Sequence, residues 1–313
     1  MAKIIFMGTP DFAAESLKAL YEAGHKILAV VTNPDRPKGR GMKLIPSPVK
    51  EYALSKNLEI LQPEKVKKNE QFLEQLKKLQ PDYICVVAYG KILPKELLQI
   101  PPKGCINVHG SLLPKYRGAA PIQWAVLNGE QETGITTMYM DEGMDTGDMI
   151  LKQTIKIGEN ETTGELWQKM SKIGGELLVE TVKQIEQGIA PREKQTGEYT
   201  MAPMLSKDMA QIDWDNQTTE QIKNLIRGLN PIMGAFTIIN NKKVKLWKAE
   251  ILKEQPGYLQ DANKYRPGEI VYANEKQGLF IKTQDGILSI LELQPENSKK
   301  MSFGDYLRGN KIG

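Results

Sequence analysis

The chain has 313 residues, of which 40% are hydrophobic and 26% charged, and its formal net charge is +4. The length suggests two domains, and no apolar run approaches the roughly 20 residues that a membrane helix needs. Two cysteines far apart and two histidines cannot build a zinc motif, so we expect no metal. With no signal peptide and with thiols suited to a reducing compartment, we expect a cytoplasmic protein that binds no membrane.

Strand-like and helix-like segments alternate from the start of the chain to Ile185. The predicted strands are Ile4–Met7, Ile27–Val31, Glu59–Leu61, Tyr83–Ala88, Cys105–Val108, Gly134–Met140 and Met149–Ile155. Helices are predicted from Phe12 to near Gly24, from Val49, around Phe72–Leu79, at Pro121–Leu127 and at Thr163–Ile185. This alternation predicts an α/β fold that begins with a Rossmann-like, doubly wound, mostly parallel sheet. Residues 33–48 interrupt it as an irregular stretch with four prolines.

The pattern changes after the first predicted sheet. Residues 188–206 contain glycine and proline turn signals, which predict a linker. Helices are predicted at Thr219–Arg227 and Phe303–Leu307. The β-like runs between them are Ala235–Ile239, Val244–Trp247, Glu269–Tyr272, Leu279–Lys282 and Ile287–Leu293. Short strands of this number suit a small, OB-like barrel. We therefore predict a first domain at 1–189, a linker at 190–206 and a second domain at 207–313.

A polar pair follows one of the buried strands. Asn107 and His109 stand in the string Gly104–Pro114, at the carboxyl end of the predicted strand. Ligands bind at that end in open α/β sheets, and a spacing of two residues directs both side chains to the same face. An amide and an imidazole on one spot suit the polarisation of a carbonyl group. The alternative is that both are loop residues satisfied by the backbone.

An acid to accompany His109 is offered by the string Asp141-Glu142-Gly143-Met144-Asp145-Thr146-Gly147-Asp148, which lies between two predicted strands. Its four carboxylates do not follow the spacing of a calcium loop. The alternative is a solvated turn. A carboxylate that reaches His109 would fix the tautomer of the imidazole.

The turn after the first strand, Gly8-Thr9-Pro10-Asp11-Phe12-Ala13, lies where a dinucleotide-binding fingerprint would lie. Pro10 stands where a second glycine must let the backbone approach a pyrophosphate, and this excludes NAD. The simpler interpretation is a turn in which Asp11 caps the next helix. His25 follows Gly24 at a helix end and is interpreted as a surface residue.

Several strings together resemble the 10-formyltetrahydrofolate-dependent formyltransferase family and, within it, the methionyl-tRNA formyltransferases. In the first domain these strings are Phe6–Ala13, Pro34–Gly41, Ala88–Pro94, Asn107–Pro114, Arg117–Ile122 and Met144–Met149. Trp247–Ala249 and Gly286–Pro295 resemble the C-terminal domain of the same enzymes. The resemblance covers nearly the whole chain. It implies transfer of the formyl group of 10-formyltetrahydrofolate to the α-amino group of methionyl-initiator tRNA, for translation initiation, by a monomer.

The resemblance also implies residue roles. Asn107, His109 and Asp145 are the expected catalytic residues: Asn107 and protonated His109 bind the oxyanion, and Asp145 holds His109 and helps to move the proton of the amine. No nucleophilic serine or cysteine is required. The expected folate-binding residues are Tyr89, Gly90, Ile92, Leu93, Ser111, Leu112, Leu113 and Pro114.

Basic residues form two clusters that suit a polyanionic partner. By resemblance the 33–48 loop inserts near the acceptor stem of tRNA, and Arg40 is its key arginine. The expected tRNA contacts are Arg36, Lys38, Arg40, Lys43, Lys242, Lys243, Lys245 and Lys248. In the second cluster lysines alternate with Val244 and Leu246, so part of the row would face outward. An edge strand guarded by lysines against aggregation explains this row equally well.

Two other functions compete with this one. A formyltransferase acting on a small amine, such as a nucleotide amino-sugar, would share the first-domain strings but not need the basic 33–48 loop. A glycinamide ribonucleotide enzyme would leave residues 205–313 unexplained. A non-catalytic RNA-binding protein with an inherited fold is the alternative from another class.

Overall fold

The computed structural model describes residues 1–38, 43–259 and 262–310. The chain forms two compact units. The first contains Met1–Pro121, Glu132–Lys156 and Trp167–Pro203. The second contains Ile122–Gln131, Ile157–Leu166 and the described part of 204–313. The boundaries predicted at 189 and 207 stay a prediction.

The first unit is built on a mixed sheet. The strands up to residue 156 are β1 (Lys3–Gly8), β2 (Lys26–Val31), β3 (Arg36–Lys38), β4 (Lys43–Ile45), β5 (Ile60–Leu61), β6 (Tyr83–Val87), β7 (Cys105–His109), β8 (Glu132–Tyr139) and β9 (Met149–Lys156). Within the described residues seven of them form one sheet in the order β5-β2-β1-β6-β7-β8-β9. The pairs from β5 to β7 are parallel, whereas β8 and β9 are antiparallel. This confirms the predicted doubly wound, mostly parallel sheet.

The strand order reverses between β1 and β6. The chain first builds β2 and β5 on one side of β1, then returns to build β6 and β7 on the other side. In sheets of this kind the loops that follow the two strands at the switch point generally diverge, and ligands bind in the crevice between them. Gly8 ends β1 in a close approach, because a Cβ atom there would lie 2.6 Å from the Ala13 Cβ and 2.8 Å from the Val87 carbonyl oxygen.

Helices accompany the strands. Their bounds are α1 (Asp11–Glu22), α2 (Pro48–Ser55), α3 (Glu70–Lys78), α4 (Lys95–Leu98), α5 (Pro121–Leu127), α6 (Thr163–Gln187), α7 (Thr219–Gly228) and α8 (Phe303–Gly309). The N-cap of α1 is Pro10 rather than Asp11, which is the first helical residue. The interpretation of Asp11 as the cap was therefore wrong; its carboxylate accepts from Phe12 N at 2.9 Å and from Trp167 Nε1 at 2.9 Å.

The second unit is an antiparallel β-domain, as predicted. Its strands are β10 (Ala235–Ile239), β11 (Lys242–Ile251), β12 (Ile270–Asn274), β13 (Gly278–Lys282), β14 (Ile287–Pro295) and β15 (Met301–Ser302). They pair in the order β10-β11-β14-β13-β12, and β15 adds to β14. Apolar residues that alternate along the strands meet α7 in one core, for example Val244, Leu246, Leu288 and Ile222.

The lysine-rich strand is not an edge strand. β11 pairs with β10 on one side and with β14 on the other. Val244 and Leu246 are buried, while Lys242, Lys243 and Lys248 are exposed. Protection of a free edge therefore does not explain these lysines.

No helix in the ranges 1–38, 43–259 and 262–310 is both long and apolar enough to cross a membrane. The same residues contain no group of three or more His, Cys, Asp or Glu side chains that could hold a metal ion. Cys85 on β6 and Cys105 on β7 are buried free thiols, as expected.

Candidate active site

Strand β7 carries the predicted polar pair at the carboxyl edge of the sheet. Asn107 pairs with Val86 of β6 on one side and with Met138 of β8 on the other. His109 is the last residue of the strand and is 5% exposed. The half-buried Asn107 amide has no hydrogen-bond partner among the described residues. An amide in that position is available to donate to a ligand.

The contacts of His109 define its tautomer. Its Nε2 atom lies 2.8 Å from the Tyr116 carbonyl oxygen. A carbonyl oxygen only accepts hydrogen bonds, so Nε2 carries the hydrogen and Nδ1 is the atom left for chemistry. Nδ1 lies 3.6 Å from Oδ2 of Asp145. This is longer than a hydrogen bond and leaves the two groups as an ion pair when the imidazole is protonated.

Asp145 has a left-handed backbone conformation. Its φ angle is +54°, in the left-handed region that L-residues other than Asn, Asp and Gly seldom adopt. Its Oδ2 atom accepts from the Gly118 backbone N–H at 2.8 Å. Gly118 itself has a φ of +120°, and a Cβ atom there would lie 2.7 Å from the Ala202 carbonyl oxygen. The structure thus places His109 and Asp145 side by side, with the Gly118 turn bonded to the Asp145 carboxylate.

A residue that the sequence reasoning missed fixes this turn. The Oε1 atom of Gln195 accepts from Arg117 Nε at 3.0 Å and Nη2 at 2.7 Å. Its Nε2 atom donates to the carbonyl oxygens of Asp145 at 2.7 Å and Gly147 at 2.9 Å. The Arg117 guanidinium also lies over the Tyr199 ring, 4.8 Å from its centroid.

Gln195 belongs to a stretch, residues 192–202, that lies against the site although it was predicted as part of a linker. Arg192 Nε donates to Oδ2 of Asp148 at 2.7 Å, and Glu193 exchanges backbone hydrogen bonds with Met149 at 2.7 and 2.9 Å. Further along, the backbone hydrogen bonds join Arg117 to Thr200 and Ala202, and Ala120 to Ala202. The Tyr116 N–H donates to Thr200 Oγ1 at 2.8 Å. Turn-rich sequence without apolar periodicity gave no signal of these contacts.

The predicted folate-binding residues differ in their exposure to solvent. Gly90 and Ile92 are exposed, Ile92 by 81%. Leu112 and Pro114 are half-buried. Tyr89, Leu93, Ser111 and Leu113 are buried.

Two of the buried residues shape the turn after β7. The Ser111 hydroxyl donates to the Lys115 carbonyl oxygen at 2.6 Å. The Leu113 N–H donates to Thr136 Oγ1 at 3.1 Å, and that hydroxyl donates to the Ser111 carbonyl oxygen at 2.7 Å. Their direct role toward folate stays a prediction.

Two unsatisfied polar atoms belong to residues that follow β2 and β6. Among the described residues, the hydroxyl of Tyr89 is buried without a hydrogen-bond partner, and so is the Oδ1 atom of Asn33. Burial raises the pKa of Tyr89 to about 12, so the phenol is protonated and able to donate. Buried polar groups are nearly always paired, and an unpaired one points to a ligand or an ion.

Of the predicted tRNA contacts in the 33–48 loop, Arg40 lies outside the described residues, as do the side chains of Lys38 and Lys43. Arg36 is exposed on β3, and β3 pairs with β4 in an antiparallel hairpin where the sequence predicted irregular chain. The hairpin accommodates Pro37 because this short ribbon leaves one side of each strand unpaired.

In the β11 cluster the lysines differ in availability. Lys242 and Lys248 are exposed. Lys243 lies over the Phe236 ring, 3.6 Å from its centroid. The half-buried Lys245 donates to the Met233 carbonyl oxygen at 2.7 Å. Its ammonium is therefore already engaged, which leaves the other three for a polyanion.

Comparison with known proteins agrees with this geometry. The family model described as formyl transferase matches residues 2–182, and that described as formyl transferase, C-terminal domain, matches residues 204–311. The methionyl-tRNA formyltransferase of Caldanaerobacter subterraneus subsp. tengcongensis is 50% identical over 311 residues, which are 99% of this chain and 97% of the relative. That of Clostridium tetani is 51% identical over 314 residues, 100% of this chain and 98% of the relative.

Solved structures share the fold at lower identity. The N-formyltransferase from Helicobacter canadensis in complex with folinic acid and dTDP-3-aminofucose matches with a TM-score of 0.66 at 21% identity, over 96% of this chain and 100% of that chain. HypX from Aquifex aeolicus in complex with tetrahydrofolic acid matches with a TM-score of 0.63 at 18% identity, over 98% of this chain and 47% of that chain. With its full-length relatives and both family domains, the chain belongs to the methionyl-tRNA formyltransferase family.

Proposed function

We propose that the chain transfers the formyl group of 10-formyltetrahydrofolate to the α-amino group of methionyl-initiator tRNA, yielding formylmethionyl-tRNA. The observation that carries this proposal is the Asn107 amide, which has no hydrogen-bond partner among the described residues and lies on the same strand face as His109, the partner of Asp145. Relatives named for this substrate at 50–51% identity over the full length favour tRNA over a small amine and over a non-catalytic RNA-binding protein.

The reaction forms one C–N bond, to the methionyl amine, and breaks another, to the folate nitrogen. Asn107 and His109, protonated at Nδ1, donate to the formyl oxygen as negative charge develops on it. Asp145 stabilises that imidazolium and accepts, through a water molecule, the proton that leaves the attacking amine. The same proton is delivered to the folate nitrogen as it departs, so the protein ends in its starting state.

Folate as the formyl donor fits the crevice at the carboxyl ends of β1 and β6. The buried Tyr89 hydroxyl is a donor without a partner among the described residues, and Gly90 and Ile92, which follow Tyr89 closely in the sequence, are exposed. Around Gly90, apart from its chain neighbours, no heavy atom of the described residues lies within 4 Å of the position that a Cβ atom would take. A polar ring system with an apolar face suits a crevice of that composition.

The tRNA partner is supported by charge. Lys242, Lys243 and Lys248 are exposed on β11 without the edge-strand role that would otherwise account for them. Lysine ammonium groups that face solvent neutralise phosphates and release counterions. Arg36 adds a guanidinium on the hairpin of the 33–48 loop.

The test is formyl transfer by the purified protein to methionyl-initiator tRNA, with 10-formyltetrahydrofolate as donor. Controls are free methionine, a dTDP-amino-sugar and methionyl-elongator tRNA. We expect transfer to the initiator tRNA to exceed all three. Faster transfer to the amino-sugar, or no transfer to any acceptor, would contradict the proposal.

A further inference from the structure

Gln195 joins the two loops that carry the catalytic pair. Its side-chain amide uses its full capacity: the oxygen accepts two N–H groups of Arg117, and the nitrogen donates to the carbonyl oxygens of Asp145 and Gly147. The four distances lie between 2.7 and 3.0 Å. Arg117 lies in the loop that follows β7, and Asp145 and Gly147 lie in the loop between β8 and β9.

The first loop determines how His109 is oriented. Tyr116 accepts from Nε2 of His109, and Gly118 donates to the Asp145 carboxylate. The second loop supplies that carboxylate from Asp145, whose φ of +54° places it in the left-handed region. Gln195 contacts the Arg117 side chain in the first loop and the backbone of the second loop, so it connects the loop that orients His109 to the loop that carries Asp145.

The side chain of Gln195 is an uncharged amide, which can both accept and donate hydrogen bonds. Arg117 has no carboxylate partner in the part of the chain that the structure describes; it rests on the amide oxygen and on the Tyr199 ring. A glutamate at position 195 would keep an acceptor for Arg117 but would have no hydrogen to donate to the carbonyl oxygens of Asp145 and Gly147. Gln195→Glu therefore removes the donor function of the side chain and keeps its acceptor function.

We infer that Gln195 is a positioning residue for formyl transfer: it fixes the Asp145 loop through its two carbonyl contacts and so holds the Asp145 carboxylate at His109. This inference rests on the proposed function for its kinetic expression. It assigns a role in the site to a segment that the sequence presents as a linker.

The kinetic experiment compares Gln195→Ala and Gln195→Glu with Glu198→Ala, an exposed neighbour whose side chain makes no hydrogen bond or ion pair with the described residues. We expect both Gln195 variants to lower kcat by roughly 10- to 100-fold, because a misplaced catalytic group costs that much. KM for folate and for tRNA should change by less than about twofold. Glu198→Ala should match the wild type. Unchanged kcat in the Gln195 variants would overturn the inference.

A double-mutant cycle separates positioning from general destabilisation. If Gln195 acts through Asp145, then Gln195→Ala added to Asp145→Asn should lower kcat by less than about twofold further. A full multiplicative loss in the double variant would show that Gln195 acts elsewhere and would contradict the inference.

A third measurement is independent of activity. The Gly118 N–H donates to the Asp145 carboxylate, so its hydrogen exchange, followed by NMR, reports where that carboxylate lies. We expect faster exchange at Gly118 in Gln195→Glu, with the melting temperature near that of the wild type. Unchanged protection would overturn the positioning role. Failure of the wild-type protein to formylate tRNA would instead refute the proposed function and leave this readout valid.

Discussion

The side-chain amide of Asn33 donates to the Tyr89 carbonyl oxygen at 3.0 Å and to Thr9 Oγ1 at 3.0 Å. One residue thereby links the chain segments that follow β1, β2 and β6. The backbone oxygen of Asn33 accepts from Gln62 Nε2 at 2.9 Å, and Gln62 also contacts Asp35 and Lys50. The beginning of the 33–48 loop is thus fixed to the wall of the proposed folate crevice.

Asn33→Ala should raise KM for the folate donor by about tenfold, because it removes one hydrogen bond to Tyr89 and one to Thr9, each worth about 1 kcal/mol, that hold the segments after β6 and β1 in place. The kcat at saturating folate should change much less, since Asn33 lies outside the catalytic pair. Gln99→Ala, which removes an exposed amide, serves as the control. Initial rates across a folate series are the measurement, and a KM equal to that of the control would contradict the prediction.

His109→Ala and Asn107→Ala should each lower the rate of formyl transfer on the order of 10²–10³-fold, as expected for loss of an oxyanion donor. Asp145→Ala should be at least as damaging, because it removes the charge beside Nδ1 and the acceptor of the Gly118 N–H. Glu142→Gln changes an exposed carboxylate in the same loop and should retain activity. Rates within a few-fold of wild type for Asn107 or His109 variants would rule out this site.

Salt dependence should distinguish the two basic clusters. Lys242→Ala should weaken tRNA binding and reduce the salt slope by up to about 0.9, the value for one phosphate contact. Arg40→Ala should mainly lower the rate at saturating tRNA, since a forked guanidinium positions the acceptor end for attack. Both variants are measured for affinity and for rate across a salt series. Effects on affinity alone, equal in both variants, would mean that the loop is only a general basic surface.

The Asp285 carboxylate should make the stability of the second unit depend on pH. It accepts from the Thr219 hydroxyl at 2.6 Å and the Thr219 N–H at 2.7 Å, at the start of α7. These hydrogen bonds hold the pKa of Asp285 below its usual value. The stabilisation is therefore present above the unfolded pKa of about 3.9 and is lost as the pH falls through the lower folded value.

Asp285→Ala should lower the free energy of unfolding at neutral pH by about 1 kcal/mol, as for loss of a helix cap. The difference from wild type should shrink as the solution is acidified. Calorimetry over a pH series checks this, with Glu275→Gln as a control at an exposed carboxylate. A constant difference at every pH would show that ionisation of Asp285 contributes nothing.

Periodicity predicted most of the fold because buried strands and amphipathic helices repeat over many residues. The apolar run that ends at Asn107 and His109 became β7, and the alternation around Val244 and Leu246 became β11. The four-residue helix Lys95–Leu98 was missed, since one turn carries too few apolar positions to show a period.

Periodicity could not predict the contacts that hold the site residues in place. Gln195 donates to the Asp145 carbonyl oxygen, which lies 50 residues earlier in the sequence. Every residue has a backbone carbonyl group, so the residue type at position 145 does not indicate this hydrogen bond. The Gly118 turn depends on the close approach of Ala202, which only the folded chain reveals. The roles of Ser111 and Leu113 toward folate remain predictions, because their observed hydrogen bonds shape their own turn.

The two buried thiols have a practical consequence. Burial raises the pKa of Cys105 to about 12 and raises that of Cys85 as well, so neither presents a reactive thiolate to solvent at neutral pH. A cysteine introduced at the exposed position of Lys242 would react with a maleimide far faster than either native residue. A fluorophore or spin label can therefore report from the β10–β11 hairpin alone while RNA binds, in a protein that keeps both of its own cysteines.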